Sequence, residues 1–251
     1  MPTRERKKTP ASPPASLPPA KRKALRAKSI TVLLTDDHAM VRQGLRKVLL
    51  TDAQIRIVGE ARNGREAVKM ARALRPDVIL MDIAMPVLNG LEATRQILAA
   101  NPKARVLMLS AYSDDAYIER MSAIGAVGFL EKTTASELLP QAVRSVMQGQ
   151  LFFSPAISRR MARGKNWSRD SGGALKPDGV SLTAKAAGVV QLAAEGLGNA
   201  QIAAILDLSI TAVVRHRRQA MAKLNLHETA DLTRYAIAQG IIKSRVELKI
   251  V

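Results

Sequence analysis

Residues 78–86 of the chain read Val-Ile-Leu-Met-Asp-Ile-Ala-Met-Pro, an apolar run that ends at Asp82 and leads into a loop with Pro86. A short apolar run that is bounded by loop signals is typical of a strand buried on both faces of a sheet. Four further runs of this kind are found at 30–34, 55–58, 106–109 and 127–130. The sequence therefore predicts five buried strands.

The segments between these runs have the periodicity of amphipathic helices. Apolar side chains share one helical face in residues 41–49, in residues 67–74 and in residues 139–147. Strands that alternate with helices form a parallel sheet that is covered on both sides. We therefore predict an α/β fold with a doubly wound, five-stranded parallel sheet over residues 29–150.

The net charge of +18 is unevenly distributed along the chain. Residues 1–28 carry +8, residues 29–150 carry +2, and residues 151–180 and 181–251 carry +4 each. A nearly neutral middle between basic flanks indicates that the ends approach a polyanion while the middle has another role. The proline-rich first segment is expected to be disordered, and a tail that is merely solvated explains its charge equally well.

Several classes of protein are excluded by composition. The 251 residues include no cysteine, which excludes disulfides, thiolate metal sites and cysteine nucleophiles. No apolar run approaches the roughly 20 residues of a membrane span. The basic N-terminus continues into prolines rather than into the apolar stretch of a secretory signal. We expect a cytoplasmic protein that does not contact the membrane.

Polar side chains occur at the ends of the predicted strands, where folds of this class place their chemistry. Asp36 and Asp37 follow the first strand, Asp82 ends the third, Ser110 ends the fourth and Lys132 follows the fifth. Converging carboxylates need a compensating cation, and their hard oxygen ligands suit Mg2+. Each residue alone is explained as a helix cap or a solvated charge, but the five together indicate a phosphoryl-transfer site.

These residues also resemble a known family in their order and spacing. The match consists of Asp36-Asp37, residues 80–86 with Asn89-Gly90, Ser110-Ala111, and Phe129-Leu-Glu-Lys132. Together they resemble the receiver domain of two-component response regulators, and the resemblance covers residues 29–150. It implies a flavodoxin-like fold.

The resemblance implies a role for each residue of the site. Asp82 is expected to accept the phosphoryl group. Mg2+ is expected to be held by Asp36, Asp37, Asp82 and the backbone carbonyl of Ala84. Lys132 is expected to pair with the phosphoryl group, Ser110 to move to bond it, and Phe129 to rotate inward. Because the family often has Tyr in place of Phe129, a hydroxyl contact of the switched state is missing here.

A second domain is predicted after a polar, glycine-bearing linker at residues 151–180. In residues 181–251, Thr183 is a candidate cap for a helix that ends near Glu195. Two further helices follow at short spacing, which is the pattern of a helix-turn-helix.

The third helix of this domain has two distinct faces on a helical wheel. Val213, Ala220 and Leu224 share the predicted buried stripe. The opposite side carries Thr211, Val214, Arg215, Arg218 and Ala222. Arginines among small residues fit a DNA major groove, although an ordinary amphipathic helix with a solvated face has the same pattern.

The C-terminal motifs resemble the LuxR/NarL-type helix-turn-helix over roughly residues 181–245. They are Leu182-Thr183, 191–196, 199–203, Leu208-Ser209, 213–216 and Lys223-Leu224. The resemblance implies dimerisation through residues 230–239, and its predicted DNA-binding residues are Thr211, Val214, Arg215, Arg217, Arg218 and Lys223. Two positions depart from the family, since Gly188 stands in place of Glu and Ala212 in place of Thr.

The favoured function is a DNA-binding response regulator that is not an enzyme. The resemblance implies a sensor histidine kinase as the donor to Asp82, Mg2+ as the cofactor, and a homodimer on double-stranded DNA with inverted or paired half-sites. Ala84 and Tyr112 occupy positions that in this family tune the lifetime of the phosphoryl group. Neither supplies a carboxylate or an amide to orient an attacking water, which predicts slow autodephosphorylation. One alternative is a receiver that acts by protein contact and carries a degenerate DNA-binding domain. Another is an aspartyl-phosphate phosphatase or phosphotransferase, for which a haloacid-dehalogenase-like enzyme would have Asp at position 84.

Overall fold

The structure is a computed structural model, and it describes residues 29–110, 124–163, 182–239 and 241–242. The predicted basic tail at 1–28, residues 164–180 of the predicted linker, and Tyr112 lie outside the described residues.

Six parallel strands form one sheet in the first part of the chain. They are β1 (Ile30–Thr35), β2 (Ile55–Ala61), β3 (Val78–Asp82), β4 (Val106–Ser110), β5 (Gly128–Glu131) and β6 (Phe152–Phe153). Their order across the sheet is β2-β1-β3-β4-β5-β6. The predicted parallel α/β fold is confirmed, but the predicted number of five strands is too low by one.

The additional strand, β6, lies in the stretch that we predicted as linker. Phe152 pairs with Gly128 of β5, and Phe153 pairs with Phe129. A Cβ on residue 128 would overlap the carbonyl oxygen of Phe152, so a glycine there permits the close approach. A strand of two residues is too short for apolar alternation to identify it.

In the part of the chain that the structure describes, five helices cover the two faces of the sheet. They are α1 (Ala39–Leu49), α2 (Gly64–Leu74), α3 (Gly90–Ala100), α4 (Ala135–Met147) and α5 (Pro155–Arg163). Side chains of α2, α3 and α5 pack with one face of the strands, and those of α1 and α4 pack with the other. Because both faces are covered, every residue of the central strand β3 is buried.

Four helices form the second domain. They are α6 (Ala184–Ala194), α7 (Asn199–Leu206), α8 (Ile210–Lys223) and α9 (Thr229–Ala238). The hydroxyl of Thr183 accepts a hydrogen bond from the backbone N–H of Ala186 and so caps α6, and Ser209 caps α8 in the same way. A small core of Val189, Leu192, Ile202, Val213 and Leu232 joins all four helices. This is the predicted helix-turn-helix arrangement with a further helix.

A search of the described residues for a helix with the length and apolar character needed to cross a bilayer finds none.

Candidate functional site

Acidic side chains from β3 and from the loop after β1 converge at the carboxyl end of the sheet. Asp36 is fully buried, Asp82 is 2% exposed, and Asp37 lies closer to the surface. One ligand atom from each of these carboxylates, together with a ring nitrogen of His38, falls within a span of 4.8 Å. Nδ1 of His38 lies 2.9 Å from Oδ1 of Asp37. The three predicted aspartates are thus brought together.

The ammonium of Lys132 bridges two of these carboxylates. Nζ lies 2.6 Å from Oδ2 of Asp36 and 2.9 Å from Oδ1 of Asp82. Burial lowers the pKa of Lys132, but the charge of Asp82 and the hydrogen bonds with Asp36 and Asp82 outweigh it, so the pKa of Lys132 is raised. The lysine therefore supplies a fixed positive charge in the acidic cluster.

The backbone holds these groups in place by hydrogen bonds between strand ends. The N–H of Lys132 donates to the carbonyl of Ser110 at 2.8 Å, which fixes the residue after β5 to the end of β4. Arg42, which is almost fully buried, donates from Nη1 to the carbonyl of Asp36 at 2.8 Å. These bonds place the ammonium and the Asp36 carboxylate at one edge of the sheet.

The loop after Asp82 requires a glycine at position 90, which accounts for the Asn-Gly pair in the sequence. The N–H of Gly90 donates to the carbonyl of Ile83 at 2.7 Å, which folds the loop back against the end of β3. A Cβ on residue 90 would overlap the carbonyl oxygen of Asp82. Only a residue without a side chain allows α3 to begin this close to the acidic cluster.

Ser110 and Phe129 lie on the neighbouring strands. Ser110 is 3% exposed at the end of β4, beside the acidic cluster. The ring of Phe129 is 1% exposed and packs in the core with Met108 and Ile157. An inward rotation is therefore not needed to bury this ring, because it is already buried. Phe129 has no hydroxyl that would favour a solvent-facing position.

The exposed face of α8 carries the side chains that the helical wheel assigns to it. Val213 and Ala220 are buried, and Leu224 is half-buried. The exposed residues are Thr211, Val214, Arg215, Arg218, Ala222 and Lys223. Arg217 is half-buried, and its Nη2 donates to the hydroxyl of Thr229 at 2.5 Å. His216 is also half-buried.

Comparisons with known protein families match both halves of the chain. Residues 32–144 match the model of the response regulator receiver domain, and residues 180–236 match the model of bacterial regulatory proteins of the luxR family.

Two curated relatives match nearly their whole length. The response regulator UvrY of Escherichia coli K12 is 34% identical over 217 residues, which is 84% of this chain and 95% of UvrY. The response regulator protein VraR of Staphylococcus aureus is 32% identical over 215 residues, which is 86% of this chain and all of VraR. The chain belongs to the LuxR/NarL-type response regulators.

A solved structure is similar to part of this response regulator. It is a LuxR-family two-component response regulator from an Aurantimonas species, with 30% identity and a TM-score of 0.53 over 54% of this chain and 97% of the other. The protein is accordingly a DNA-binding response regulator of a two-component system, with a receiver domain followed by a LuxR-type DNA-binding domain. The two alternative functions are not favoured.

The two domains of this response regulator are joined by a buried amide that sequence reasoning missed. Gln191 of α6 is fully buried, and its Oε1 accepts hydrogen bonds from the backbone N–H and from Nδ2 of Asn89, at 2.7 and 3.0 Å. Its Nε2 donates to the carbonyl of Met85 at 2.8 Å. Both partners lie in the loop between Asp82 and α3.

Two further contacts join the receiver domain to the DNA-binding domain. Val87, in the same loop, packs against the core of the DNA-binding domain. Arg65 of α2 donates from Nη1 to the carbonyl of Ile205, near the end of α7. The sequence of α6 contains one signal for this docking, since the helix is apolar apart from Lys185 and Gln191, and a helix that is mostly apolar is expected to be buried over most of its surface.

The docked arrangement leaves the predicted DNA-binding face uncovered. The contacts with the receiver domain come from α6 and α7, while the side chains of α8 that are predicted to face DNA stay exposed, Val214 by 39%. Domain docking through Gln191 and the predicted DNA contact through α8 therefore involve different surfaces of the same domain.

Proposed function

We propose that phosphorylation of Asp82 by a sensor histidine kinase controls DNA binding by this response regulator. The observation that carries the proposal is the ammonium of Lys132, at 2.6 Å from Asp36 and 2.9 Å from Asp82. Phosphoryl transfer needs a carboxylate nucleophile beside a positive charge that neutralises the phosphoryl oxygens. The carboxylate of Asp82 and the ammonium of Lys132 supply this pair.

In the proposed reaction, a carboxylate oxygen of Asp82 attacks the phosphorus of a phosphohistidine. The P–O bond forms as the P–N bond breaks, and the imidazole leaves and takes up a proton. Lys132 then pairs with the phosphoryl oxygens instead of the free carboxylate. Ser110, at the end of β4, donates its hydroxyl hydrogen to the same group.

The chemistry of the donor set fits Mg2+. Three carboxylates within one small cluster provide hard oxygen ligands. We assign the metal to Asp36, Asp37, Asp82 and the backbone carbonyl of Ala84. Bound Mg2+ supplies charge neutralisation at the phosphoryl oxygens. His38 offers nitrogen, which suits Mg2+ less well than oxygen does.

For DNA, we assign base contacts to the exposed face of α8 and phosphate contacts to its flanks. Base contacts come from Thr211, Val214, Arg215 and Arg218, and phosphate contacts come from Arg217 and Lys223. The phosphorylated protein binds as a homodimer through α9, on inverted or paired half-sites. Half-sites that match the two-fold symmetry of a dimer are the geometric consequence.

Phosphoryl uptake tests the assignment of the site. The full-length protein is incubated with acetyl phosphate and Mg2+, and the added phosphoryl group is detected by intact-mass spectrometry. We expect uptake by the unmodified protein, no uptake by Asp82→Asn, and loss of uptake when Mg2+ is chelated. Uptake by Asp82→Asn equal to that of the unmodified protein would reject Asp82 as the acceptor.

A further inference from the structure

We propose that Gln191, in the first helix of the DNA-binding domain, is a positioning residue for the metal site of the receiver domain. The inference rests on the proposed Mg2+ site. It adds that a side chain of the other domain holds the backbone of one metal ligand in place. The DNA-binding domain thereby raises the metal affinity of the receiver domain.

The hydrogen bonds of the Gln191 side chain, three to the receiver domain and one within α6, leave its amide with one orientation. Oε1 faces the backbone N–H of Asn89, which can only donate, and Nε2 faces the carbonyl of Met85, which can only accept. Nε2 also donates to Oε1 of Glu195 at 2.8 Å, within α6. Because Gln191 is fully buried, losing either side of the amide leaves buried polar groups in the loop without their partner.

Hydrogen bonds hold the backbone on both sides of Ala84, the residue whose carbonyl is assigned to the metal. The carbonyl of Ile83 accepts a hydrogen bond from the N–H of Gly90 at 2.7 Å. The carbonyl of Met85 accepts the bond from Gln191 at 2.8 Å. The peptide that carries the Ala84 carbonyl therefore lies between two hydrogen-bonded peptides, one held from its own domain and one held from the other.

The rest of the loop is held against the same surface. Val87 has a left-handed backbone with φ of 70°, which a β-branched residue rarely adopts, and its side chain packs against the core of the DNA-binding domain. Asn89 accepts a bond from the N–H of Glu92 with Oδ1, so the residue that Gln191 binds also caps α3. Domain docking thus holds the loop between Asp82 and α3 at Met85, Val87 and Asn89.

A ligand that is already held in place loses less conformational freedom when it binds a metal. Release of the Met85 carbonyl by mutation is therefore expected to weaken metal binding. Because coupling between two sites is reciprocal, metal binding is expected to strengthen the docking of the domains in turn.

Mn2+, which takes similar oxygen ligands to Mg2+, provides a direct probe. The free Mn2+ signal in electron paramagnetic resonance gives the affinity of the full-length protein without a phosphodonor. Hydrogen exchange of the Asn89 amide, followed by mass spectrometry, reports the bond to Gln191. A role of Gln191 in fold stability alone would not change the Mn2+ affinity of the folded protein.

Two substitutions separate the bonds. Gln191→Met removes all of them, and we expect Mn2+ affinity to fall about tenfold, the low end for loss of an outer-shell partner, with faster exchange at Asn89. Gln191→Glu keeps an acceptor for Asn89 but loses the donor to Met85, so affinity should fall while Asn89 stays protected. If Gln191→Met does not fold, the Mn2+ affinity of Gln191→Glu tests the proposal.

Gln219→Met, at an exposed position of α8, is the matched control. It should leave both the Mn2+ affinity and the exchange of the Asn89 amide unchanged.

Asp37→Asn distinguishes failure of this inference from failure of the metal site. If Asp37→Asn abolishes Mn2+ binding while both Gln191 variants bind within twofold of the unmodified protein, or more tightly, Gln191 has no positioning role. If the unmodified protein shows no Mn2+ binding that depends on Asp37, the proposed metal site is rejected, and the role of Gln191 falls with it.

Discussion

Nζ of Lys132 lies 2.9 Å from Oδ1 of Asp82, at the carboxyl end of the central strand β3. The same ammonium contacts Asp36, so one positive charge lies between two buried carboxylates. The proposed phosphorylation of Asp82 would change the charge beside this ammonium. We therefore place the start of the proposed signal at the pair of Lys132 and Asp82.

The raised pKa of Lys132 predicts how its contribution to stability depends on pH. When folding raises the pKa of a cation, the cation stabilises the folded state fully at every pH below its pKa in the unfolded chain, which is 10.5 for lysine. This stabilisation is lost as the pH rises through the pKa of the folded state. We expect the difference in unfolding free energy between the unmodified protein and Lys132→Met to stay constant from neutral pH to about pH 9. Urea denaturation at a series of pH values measures this difference. A marked change between pH 7 and pH 9 would contradict the assignment.

Gly188 is predicted to be a weak point of the DNA-binding domain. It lies in the middle of α6, where a Cβ would meet Leu206 at 3.4 Å, close to ordinary van der Waals contact. Gly188→Ala should stabilise the domain by up to about 1 kcal/mol, because alanine is the better helix former. The control is Gly44→Ala in α1, whose Cβ would meet nothing within 4 Å. Thermal unfolding of both variants separates helix propensity from the contact with Leu206, and a large destabilisation by Gly188→Ala alone would show that the contact does not relax.

The two kinds of assigned DNA contact predict different effects of mutation. Arg215→Ala, on the exposed face of α8, should relax specificity at one base position by about 1–3 kcal/mol. Lys223→Ala should weaken binding to all DNA sequences alike. It should also reduce the slope of log affinity against log salt concentration by about one unit. Binding titrations on matched and mismatched sites at several salt concentrations distinguish the two. Arg72→Ala, at an exposed position of α2 in the receiver domain, is the control, and uniform weakening by Arg215→Ala would remove that residue from base recognition.

The phosphorylated receiver domain is expected to hold its phosphoryl group for minutes or longer. The methyl group of Ala84 has no donor or acceptor with which to orient water for attack on the phosphorus. Phosphate release from the isolated phosphoprotein measures the half-life. A half-life of seconds would show that another group activates water.

The parts of the site that could be predicted from sequence are those placed by the strands. Asp82 and Ser110 end strands whose apolar runs are unambiguous, and parallel strands bring their carboxyl ends to one edge. The exposed and buried faces of α8 follow from helical periodicity in the same way. Strand β6 could not be predicted, because two residues carry no periodicity.

The contact between the domains was beyond sequence reasoning for another reason. Gln191 is, with Lys185, one of two polar residues in an otherwise apolar helix, and its partner cannot be identified until the tertiary structure is known. Asn89 caps α3, but its second role depends on a residue 102 positions away. A contact of this kind can be identified only from the three-dimensional structure.

Phosphorylation of Asp82 is proposed to control sequence-specific DNA binding. The most direct measurement is DNA selection by the full-length protein with Mg2+, with and without acetyl phosphate, beside Asp82→Asn. We predict enrichment of a site with two related half-sites, bound more tightly after phosphorylation of the unmodified protein but not of Asp82→Asn. Equal affinity for the selected site with and without a phosphoryl group on Asp82 would contradict the account.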